Sequence, residues 1–289
     1  MSFRTVVIKN RAKIETRLGW LVIRGEEEKL IYISEIGTLI VESCAAVITT
    51  QALCELAKNK TNVIFCDDRH LPYGQLSMLY GNHLTSGQVK RQALWTDEVK
   101  GKAWKEIVKQ KILWQMLVLQ KHKKEEAAWL LLDYINEIEE GDVTNREGHA
   151  AKVYFNALFG NDFARRSDND INSALNYGYA ILLSSVAREI VSAGYVTQLG
   201  IHHVNEYNFF NLASDIMEVF RPLVDAYVLS IDDFVNFKGK VTAILSSKVV
   251  ILEKEYFLDN AIRIYTRGVL RFMEGEEDMP KIEKFVEIL

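Results

Sequence analysis

Two acidic side chains, Asp215 and Glu218, stand three residues apart in a largely apolar stretch. If this stretch is helical, that spacing puts both carboxylates on one face, opposite Leu212, Ile216 and Val219. Two carboxylates so placed could hold a hard divalent cation, and a nearby histidine would favour Mg²⁺ or Mn²⁺ over calcium. The alternative is a solvated face on which Glu218 pairs with a nearby arginine.

Three further residues have types that suit the same chemistry. His202 and His203 precede Asp215 by thirteen and twelve positions. Adjacent side chains point about 100° apart on a helix and to opposite faces of a strand, so in regular structure only one histidine can reach a given cation. Glu147 is a third carboxylate, but Thr144 to Glu147 also matches a helix capping box, S/T-x-x-E. These residues alone leave a metal site and ordinary structural roles both open.

A lysine-rich segment from Lys90 to Lys124 contains ten basic residues and three acidic ones. Lys102, Lys105 and Lys109 recur at helical spacing among tryptophans, which predicts a cationic face opposite a buried one. Such a face suits a phosphate backbone. A solvated lysine face over a tryptophan core explains the pattern equally well.

The elements that must position these residues change in type along the chain. The first part carries short apolar runs that predict strands, with one short helix. Pro72 and Gly74 mark a break, after which apolar residues recur every three or four positions. The pattern predicts an α+β protein with a small N-terminal β domain at 1–73 and a larger all-helical domain at 74–289. The predicted helical segments are residues 89–119, 125–138, 146–159, 171–193, 211–227, 231–247 and 257–272.

Composition sets wider limits on function. The 289 residues are 48% hydrophobic and 26% charged, which excludes a disordered chain. The formal net charge of -4 means that a nucleic acid would have to meet a local basic surface. Cys44, Cys54 and Cys66 are odd in number and lack C-x-x-C spacing, so we expect reduced, mostly buried thiols. The chain starts without a long apolar run and its uncharged segment 171–187 is short and polar, so we expect a cytoplasmic protein without a membrane span.

Four motifs follow one another along the second part of the chain. They are residues 146–155 (REGHAAKVYF), 169–179 (NDINSALNYGY), 199–203 (LGIHH) and 215–222 (DIMEVFRP). In this order they resemble the signatures of the universal CRISPR-associated integrase family. The resemblance covers nearly the whole chain, because that family also has a small N-terminal β domain before a helical catalytic domain. The opening residues 3–8 are most similar to members from type II systems.

The resemblance implies a metal site built from a glutamate, a histidine and a downstream acid. Glu147 matches the glutamate, and Glu218 matches the acid before Phe-Arg-Pro. His203 matches the histidine of a Gly-x-x-His element that begins at Gly200. The implied cofactor is Mg²⁺ or Mn²⁺. Many relatives have aspartate at the last position, so Asp215 is expected to share or support the metal.

The resemblance also implies roles for residues around the metal. Residues of the asparagine-rich motif are expected to fix helix packing rather than perform chemistry: Asn172, Asn176 and Tyr179. The DNA-binding candidates are Arg165 and Arg166, together with three residues of the lysine-rich face, Lys102, Lys105 and Lys109.

The implied activity is that of a metal-dependent DNA endonuclease and integrase, which inserts new spacers into a CRISPR array when a 3′-hydroxyl attacks a repeat phosphodiester. The implied partners are the protospacer duplex, the CRISPR repeat, a second copy of the chain bound through the N-terminal domain, and the small second universal CRISPR-associated protein that bridges two dimers. In type II systems an accessory ring protein and the RNA-guided effector nuclease join them. No membrane partner is expected.

Two other functions stay open from the sequence. One is a non-catalytic DNA-binding scaffold, in which Glu147 is only a helix cap and Glu218 only a surface ion pair. The other is a metal-dependent repair nuclease that cuts branched DNA without joining it.

Overall fold

The computed structural model describes residues 4–78 and 82–286. The chain divides into two compact units, Met1–His83 and Leu84–Leu289. Strands dominate the first unit and helices the second, so the predicted α+β class is confirmed. No helix within the two described ranges is long and apolar enough to cross a membrane.

The first unit contains two four-stranded sheets and a helix. Its strands are β1 (Arg4–Ile8), β2 (Lys13–Arg17), β3 (Trp20–Arg24), β4 (Glu28–Tyr32), β5 (Ile36–Val41), β6 (Val47–Ile48), β7 (Asn62–Cys66) and β8 (Pro72–Gln75), and its helix is α1 (Thr50–Lys58). One sheet has the order β1-β5-β7-β8 and the other β4-β3-β2-β6. Strand β5 is buried along its whole length because parallel strands pair with it on both sides.

Pro72 and Gly74, where the sequence predicts a domain boundary, lie within β8. This strand pairs antiparallel with β7 at the edge of the first sheet, a position that tolerates proline. The compact unit extends to His83. The cysteines of this unit form no disulfide, and Cys44 and Cys54 are exposed, so the prediction of mostly buried thiols is wrong.

The second unit is built mainly from helices. They are α2 (Thr85–Gln92), α3 (Asp97–Lys121), α4 (Glu125–Glu137), α5 (Arg146–Phe159), α6 (Asp170–Ala193), α7 (Asn211–Met217), α8 (Arg221–Leu229), α9 (Phe237–Thr242) and α10 (Leu258–Met273). Most of α6 is buried, as expected for a core helix. A Cβ atom on Gly178 of α6 would lie 2.4 Å from Val224 Cγ1, so only glycine allows α8 to approach this closely.

The second unit is not all-helical as predicted. Three short strands, β9 (Lys248–Ile251), β10 (Lys254–Phe257) and β11 (Ile282–Phe285), form an antiparallel sheet in the order β10-β9-β11. Leu252 and Glu253 both have positive φ, which gives a two-residue turn between β9 and β10. Val249 and Ile251 alternate into the core, a period-2 pattern too short to stand out in the sequence.

The helix predicted over 89–119 is interrupted. Helix α2 ends at Gln92, and α3 starts after Thr96, whose hydroxyl accepts a hydrogen bond from the Val99 N–H. Asp97 and Glu98 follow in the first turn, where acidic side chains stabilise the start of a helix. Because of these signals the chain begins a new helix at Asp97, although the apolar periodicity continues from the preceding segment. As a result, α3 is a separate 25-residue helix that crosses the interior of the unit.

Candidate active site

Glu147 lies in the first turn of α5, and other residues cap that helix. The N-cap is Asn145, whose side-chain oxygen accepts a hydrogen bond from a first-turn N–H. The Asp142 carboxylate accepts from the N–H groups of Arg146 and Glu147, at 2.8 and 2.9 Å. The capping box that the sequence suggests at Thr144 is therefore replaced by a different cap. The Glu147 carboxylate instead pairs with Lys111 of α3.

Glu218 occupies a single 3₁₀ turn, Glu218–Phe220, between α7 and α8. Pro222 follows at the start of α8 and has no N–H to donate to the carbonyl of residue 218, so an uninterrupted α-helix cannot form. The helix predicted over 211–227 is therefore two helices. The turn between them buries the Glu218 side chain, which is only 5% exposed.

The carboxylates of Glu147 and Glu218 meet at one ammonium group, that of Lys111 in α3. Lys111 Nζ pairs with Glu147 Oε1 and lies 2.5 Å from Glu218 Oε2. The other Glu218 oxygen, Oε1, lies 2.8 Å from Arg221 Nε. The Lys111 side chain is 6% exposed, so water screens these attractions weakly.

The charges in this cluster shift the pKa of their neighbours. The Lys111 ammonium lowers the pKa of the Glu147 carboxyl by more than burial raises it. Burial by itself would lower the pKa of Lys111, but the carboxylates of Glu218 and Glu147 outweigh burial and leave that pKa raised. Glu147 and Lys111 are therefore both charged at neutral pH.

Asp215, in α7, holds the loop that carries the two histidines. Its fully buried carboxylate accepts hydrogen bonds from the N–H groups of Ile201, His202 and His203, at 2.6, 3.0 and 3.1 Å. It also lies 2.5 Å from His203 Nδ1. A Cβ atom on Gly200 would lie 2.3 Å from the His203 carbonyl oxygen, so this turn requires glycine. Asp215 thus supports the site by positioning His203.

The two histidines have different surroundings. The His202 ring stacks on Trp104, with centroids 4.3 Å apart and planes within 1° of parallel. The His203 ring meets Trp104 edge-on and its side chain is 41% exposed. The hydrogen bond with Asp215 raises the pKa of His203 more than burial lowers it, and the Glu218 carboxylate adds to the rise. The carboxylates of Asp215 and Glu218 therefore both favour the protonated form of the His203 ring.

A divalent cation such as Mg²⁺ or Mn²⁺ needs several hard donor atoms that converge on one place. Across residues 4–78 and 82–286, no group of three or more His, Cys, Asp or Glu side chains stands ready to hold a metal ion. Glu147 and Glu218 nevertheless converge on a cation, and their oxygens are the donors that Mg²⁺ and Mn²⁺ prefer. The residues fit such an ion once Lys111 gives up these oxygens.

A layer of aromatic and polar groups supports Arg221. Its guanidinium lies 4.6 Å from the centroid of the Tyr179 ring, and that of Arg165 lies 5.4 Å from the same ring. The Tyr179 hydroxyl donates a hydrogen bond to the buried Asp225 carboxylate. Burial raises the pKa of Asp225 to about 6, although hydrogen bonds from tyrosine and the charge of Arg221 oppose that rise.

Arg165 is held by the asparagines of its motif. Its guanidinium donates to the side-chain oxygen of Asn172 and, at 2.9 Å, to that of Asn176. The amide of Asn172 donates in turn to the carbonyls of Ala164 and Ser167. These asparagines thus fix the packing of this segment, the role that the resemblance implies for them.

A cavity of about 360 Å³ opens beside His203. Its lining is rich in side-chain amides, which belong to Gln92, Gln198, Asn205, Asn208 and Asn211. The Gln92 amide nitrogen donates to the carbonyls of Val196 and Leu199, both at 2.9 Å, and its oxygen accepts from the Val196 N–H at 3.0 Å. Gln92 thereby ties the end of α2 to the chain that leads into Gly200.

Comparison with known proteins identifies the family to which this arrangement belongs. The family model described as "CRISPR associated protein Cas1" matches residues 5–240. The chain belongs to the Cas1 family. The CRISPR-associated endonuclease Cas1 of Neisseria meningitidis serogroup C (strain 8013) is 31% identical to it over 295 residues, which cover 98% of this chain and 97% of that relative.

Solved structures share the Cas1 fold with this chain. A casposase bound to integration product matches with a TM-score of 0.81 at 19% identity, over 100% of this chain and 95% of the casposase chain. A chain of a Cas6-RT-Cas1–Cas2 complex matches with a TM-score of 0.70 at 18% identity, over 95% of this chain and 35% of that one. At such identities these structures establish the fold alone.

The lysine-rich face of this Cas1 chain is more neutral than its sequence indicates. Lys102 pairs with Glu98 at 2.5 Å, and Lys109 lies 3.6 Å from Glu106. The interleaved tryptophans are buried, as both interpretations of the segment require. Arg166 is exposed. DNA contact by any of these residues stays a prediction.

Sequence reasoning missed Lys111 and Gln92. Lys111 is one of the ten basic residues of the lysine-rich segment. It nevertheless lies four positions after Ile107 and next to Ile112, on the buried face of α3. A lysine on an apolar stripe is a detectable signal, because an unpaired ammonium would be too costly to bury there. Gln92 gives no such signal, since its partners are backbone groups more than a hundred residues away.

Proposed function

We propose that this Cas1-family protein is a DNA nuclease and integrase of CRISPR adaptation, whose reaction takes place at Glu147, Glu218 and His203. The observation that carries the proposal is the convergence of two carboxylates on a buried cation, beside a histidine held by Asp215. Three of the four family motifs contribute to this one cluster. The full-length match to a relative named as an endonuclease supports the activity.

In the proposed site, Glu147 and Glu218 would hold Mg²⁺ or Mn²⁺ through carboxylate oxygens, and His203 would add a nitrogen ligand. When bound, such an ion supplies charge neutralisation at a phosphoryl oxygen and lowers the pKa of an attacking hydroxyl. Asp215 positions the imidazole, and Arg221 positions Glu218. Asp215 itself has both carboxylate oxygens engaged with the histidine loop, so we assign it a positioning role.

The proposed reaction needs no covalent bond between protein and DNA. The oxygen of a 3′-hydroxyl forms a new bond to a repeat phosphorus, and the bond from that phosphorus to the 3′ oxygen of the repeat strand breaks. The attacking hydroxyl gives up its proton and the leaving 3′ oxygen takes one up, so a new 3′-hydroxyl is released. The number of phosphodiester bonds is conserved, so no energy source is required. Cleavage is the same reaction with water as the attacking group.

The proposed partners follow from the DNA chemistry and from the family. The DNA substrates are a protospacer duplex and the CRISPR repeat, with phosphates met by exposed basic residues such as Arg166. The solved complex that contains both Cas1 and Cas2 supports Cas2 as a partner. The further part of the proposal is that this small second protein bridges two dimers. Dimerisation through the first unit, and assembly with the type II ring protein and effector nuclease, complete the proposal.

The non-catalytic scaffold is less well supported than the enzyme. It requires Glu147 to be a helix cap, whereas Asn145 and Asp142 provide the cap. It also requires Glu218 to form a surface ion pair, whereas Glu218 is buried with Lys111 and Arg221. Neither premise holds.

A strand-transfer assay tests the proposal. The reaction contains a duplex with a 3′-hydroxyl, a supercoiled plasmid with a repeat and the bridging partner, and EDTA is the control. Joined product should form only with Mg²⁺ or Mn²⁺. We expect Glu147→Gln to keep the fold and to lose at least about 100-fold in rate, since supporting partners of metal ligands alone are worth up to about that much.

Glu126→Gln is the matched control, because Glu126 is exposed in the first turn of α4. It should integrate like the wild type. Full integration by Glu147→Gln, with an unchanged melting temperature, would contradict the assignment of Glu147 to the catalytic site. Cleavage of branched DNA without any joining would favour the repair nuclease instead.

A further inference from the structure

We propose that Lys111 is a built-in competitor of the divalent cation. Its ammonium group occupies the place between Glu147 and Glu218, and it must leave these carboxylates before Mg²⁺ or Mn²⁺ can bind. This inference rests on the proposed metal dependence of the site. It concerns what sets the affinity for the ion.

The geometry places the ammonium on the oxygens that the ion would use. Lys111 Nζ contacts Glu147 Oε1 and Glu218 Oε2. The remaining oxygen of Glu218 is bound by Arg221. Both oxygens of Glu218 are therefore engaged by cations, and an ion held by the two glutamates would have to replace one of them. Lys111 is the cation that contacts both glutamates.

The charges favour exchange over coexistence. Two carboxylates, Glu147 and Glu218, face two cations, Lys111 and Arg221, so the charges of these four side chains cancel. A divalent ion added beside the ammonium would leave two positive charges in excess, in a place where like charges repel strongly because little water screens them. Release of Lys111 from the carboxylates removes part of that excess.

Helix α3 allows such a release without moving itself. Its buried residues include Val108 and Ile112, on either side of Lys111 in the sequence, and they fix the backbone. The lysine side chain has four rotatable bonds, so the ammonium can swing away while the helix stays in place.

Manganese binding tests the proposal without any DNA. Lys111→Met removes the charge and keeps a long apolar side chain. Binding of Mn²⁺ is measured by the paramagnetic resonance of free Mn²⁺ for the wild type, Lys111→Met and Lys152→Met. Lys152 is exposed on α5, the helix of Glu147, so its variant makes the same change of charge at the surface.

We expect Lys111→Met to bind Mn²⁺ at least about tenfold more tightly than the wild type, a factor within the usual range of coupling between two ligands. Lys152→Met should bind like the wild type. Without metal, Lys111→Met should melt at a lower temperature than the wild type, because two buried carboxylates lose their shared cation. Added Mn²⁺ should raise its melting temperature by more than it raises that of the wild type.

Unchanged or weaker binding by Lys111→Met would overturn the proposal, while binding by the wild type would leave the proposed metal site intact. An absence of Mn²⁺ binding in both proteins would overturn the metal site and the competitor together. If Lys111→Met does not fold, a wild-type structure with Mn²⁺ decides. We expect Lys111 Nζ to have left Glu147 and Glu218, and an ion and Nζ that share both carboxylates would refute competition.

Discussion

At His203, one carboxylate fixes both the backbone and the ring. Asp215 accepts from three successive N–H groups of the loop and binds Nδ1 of the imidazole, so the position of the ring depends on α7. Only the other ring nitrogen, Nε2, is then left for an outside group. The spacing Gly-x-x-His followed by an acid twelve residues later has this physical basis.

We expect His203→Ala to keep its fold, to weaken Mn²⁺ binding and to abolish strand transfer. His202→Ala should instead lose the stack on Trp104, at a cost of about 1 kcal/mol in the free energy of unfolding, with strand transfer retained. Urea unfolding and the strand-transfer assay check both variants. In a Mn²⁺-soaked crystal, an anomalous peak on the His202 imidazole with His203 turned away would contradict this assignment.

At the residue scale, the metal-binding roles of the predicted site residues stay predictions, while the structure shows where these residues lie. Motifs pointed to Glu147, His203 and Glu218, and the structure brings all three into one neighbourhood. The sequence could not show that Lys111 joins the two glutamates, because that contact spans α3, α5 and the 3₁₀ turn. A salt bridge between distant segments leaves no local pattern in a sequence.

At the scale of elements, interruptions of helices matter more than the helices themselves. Glu218 faces α3 because Pro222 ends the regular hydrogen bonding before it, and Gln92 stands at a helix end because Thr96 starts a new helix. Apolar period predicted both helical stretches but not their breaks. The residues that cause the breaks, Thr96 and Pro222, are visible in the sequence, but the longer apolar pattern outweighed them in the prediction.

Gly200→Ala tests the tight turn before His203. The new Cβ atom would meet the His203 carbonyl oxygen at 2.3 Å, so the loop must shift. We expect a loss of about 1 to 3 kcal/mol in the free energy of unfolding, together with reduced strand transfer. Gly87→Ala in α2 is the control, since its Cβ atom would meet only an arginine tip at 3.7 Å. A Gly200→Ala protein as stable and active as the wild type would contradict the role of this turn.

The lysine face of α3 is tested by the salt dependence of DNA binding. Each phosphate contact released should lower the slope of log affinity against log salt by about 1. The triple change Lys102→Glu, Lys105→Glu and Lys109→Glu should therefore weaken binding and flatten the slope, as measured by fluorescence anisotropy at several salt concentrations. Lys60→Glu, an exposed change in the first unit, is the control for a single reversal of charge. If the triple variant binds like the wild type, the face is only solvated and Arg165 and Arg166 become the better candidates.

At the scale of the whole molecule, the order of strands before helices along the chain was predictable. The small sheet of the second unit was not. Strand signals come first and helical period follows, which is enough for the α+β class. Strands β9 to β11 have four residues each, and β11 pairs with β9 across α10. Pairing between segments so short and so far apart depends on the finished helical core, which no local pattern records.

The stability of the whole chain should depend on the protonation of Asp225. Its pKa is about 6 in the folded protein, against an ordinary value of 3.8, because the carboxyl is buried. Folding therefore favours the protonated form, and this contribution is complete below about pH 4 and is lost as the pH rises through 6. The loss is on the order of 3 kcal/mol.

Urea unfolding of the wild type and Asp225→Asn from pH 4 to pH 7 measures this effect. The difference in unfolding free energy, wild type minus variant, should fall across this range, because the amide does not titrate. Each protein also carries all other titrating groups, so the difference isolates Asp225. A difference that stays constant with pH would show that this carboxyl does not titrate there.

All three cysteines of the chain lie in the first unit, and two of them, Cys44 and Cys54, are exposed. The unit that carries the cluster around Lys111 has no thiol at all. Mild oxidants and alkylating reagents aimed at thiols therefore find no target within that unit. A maleimide dye would therefore label the β unit alone and leave every side chain of the helical unit unmodified.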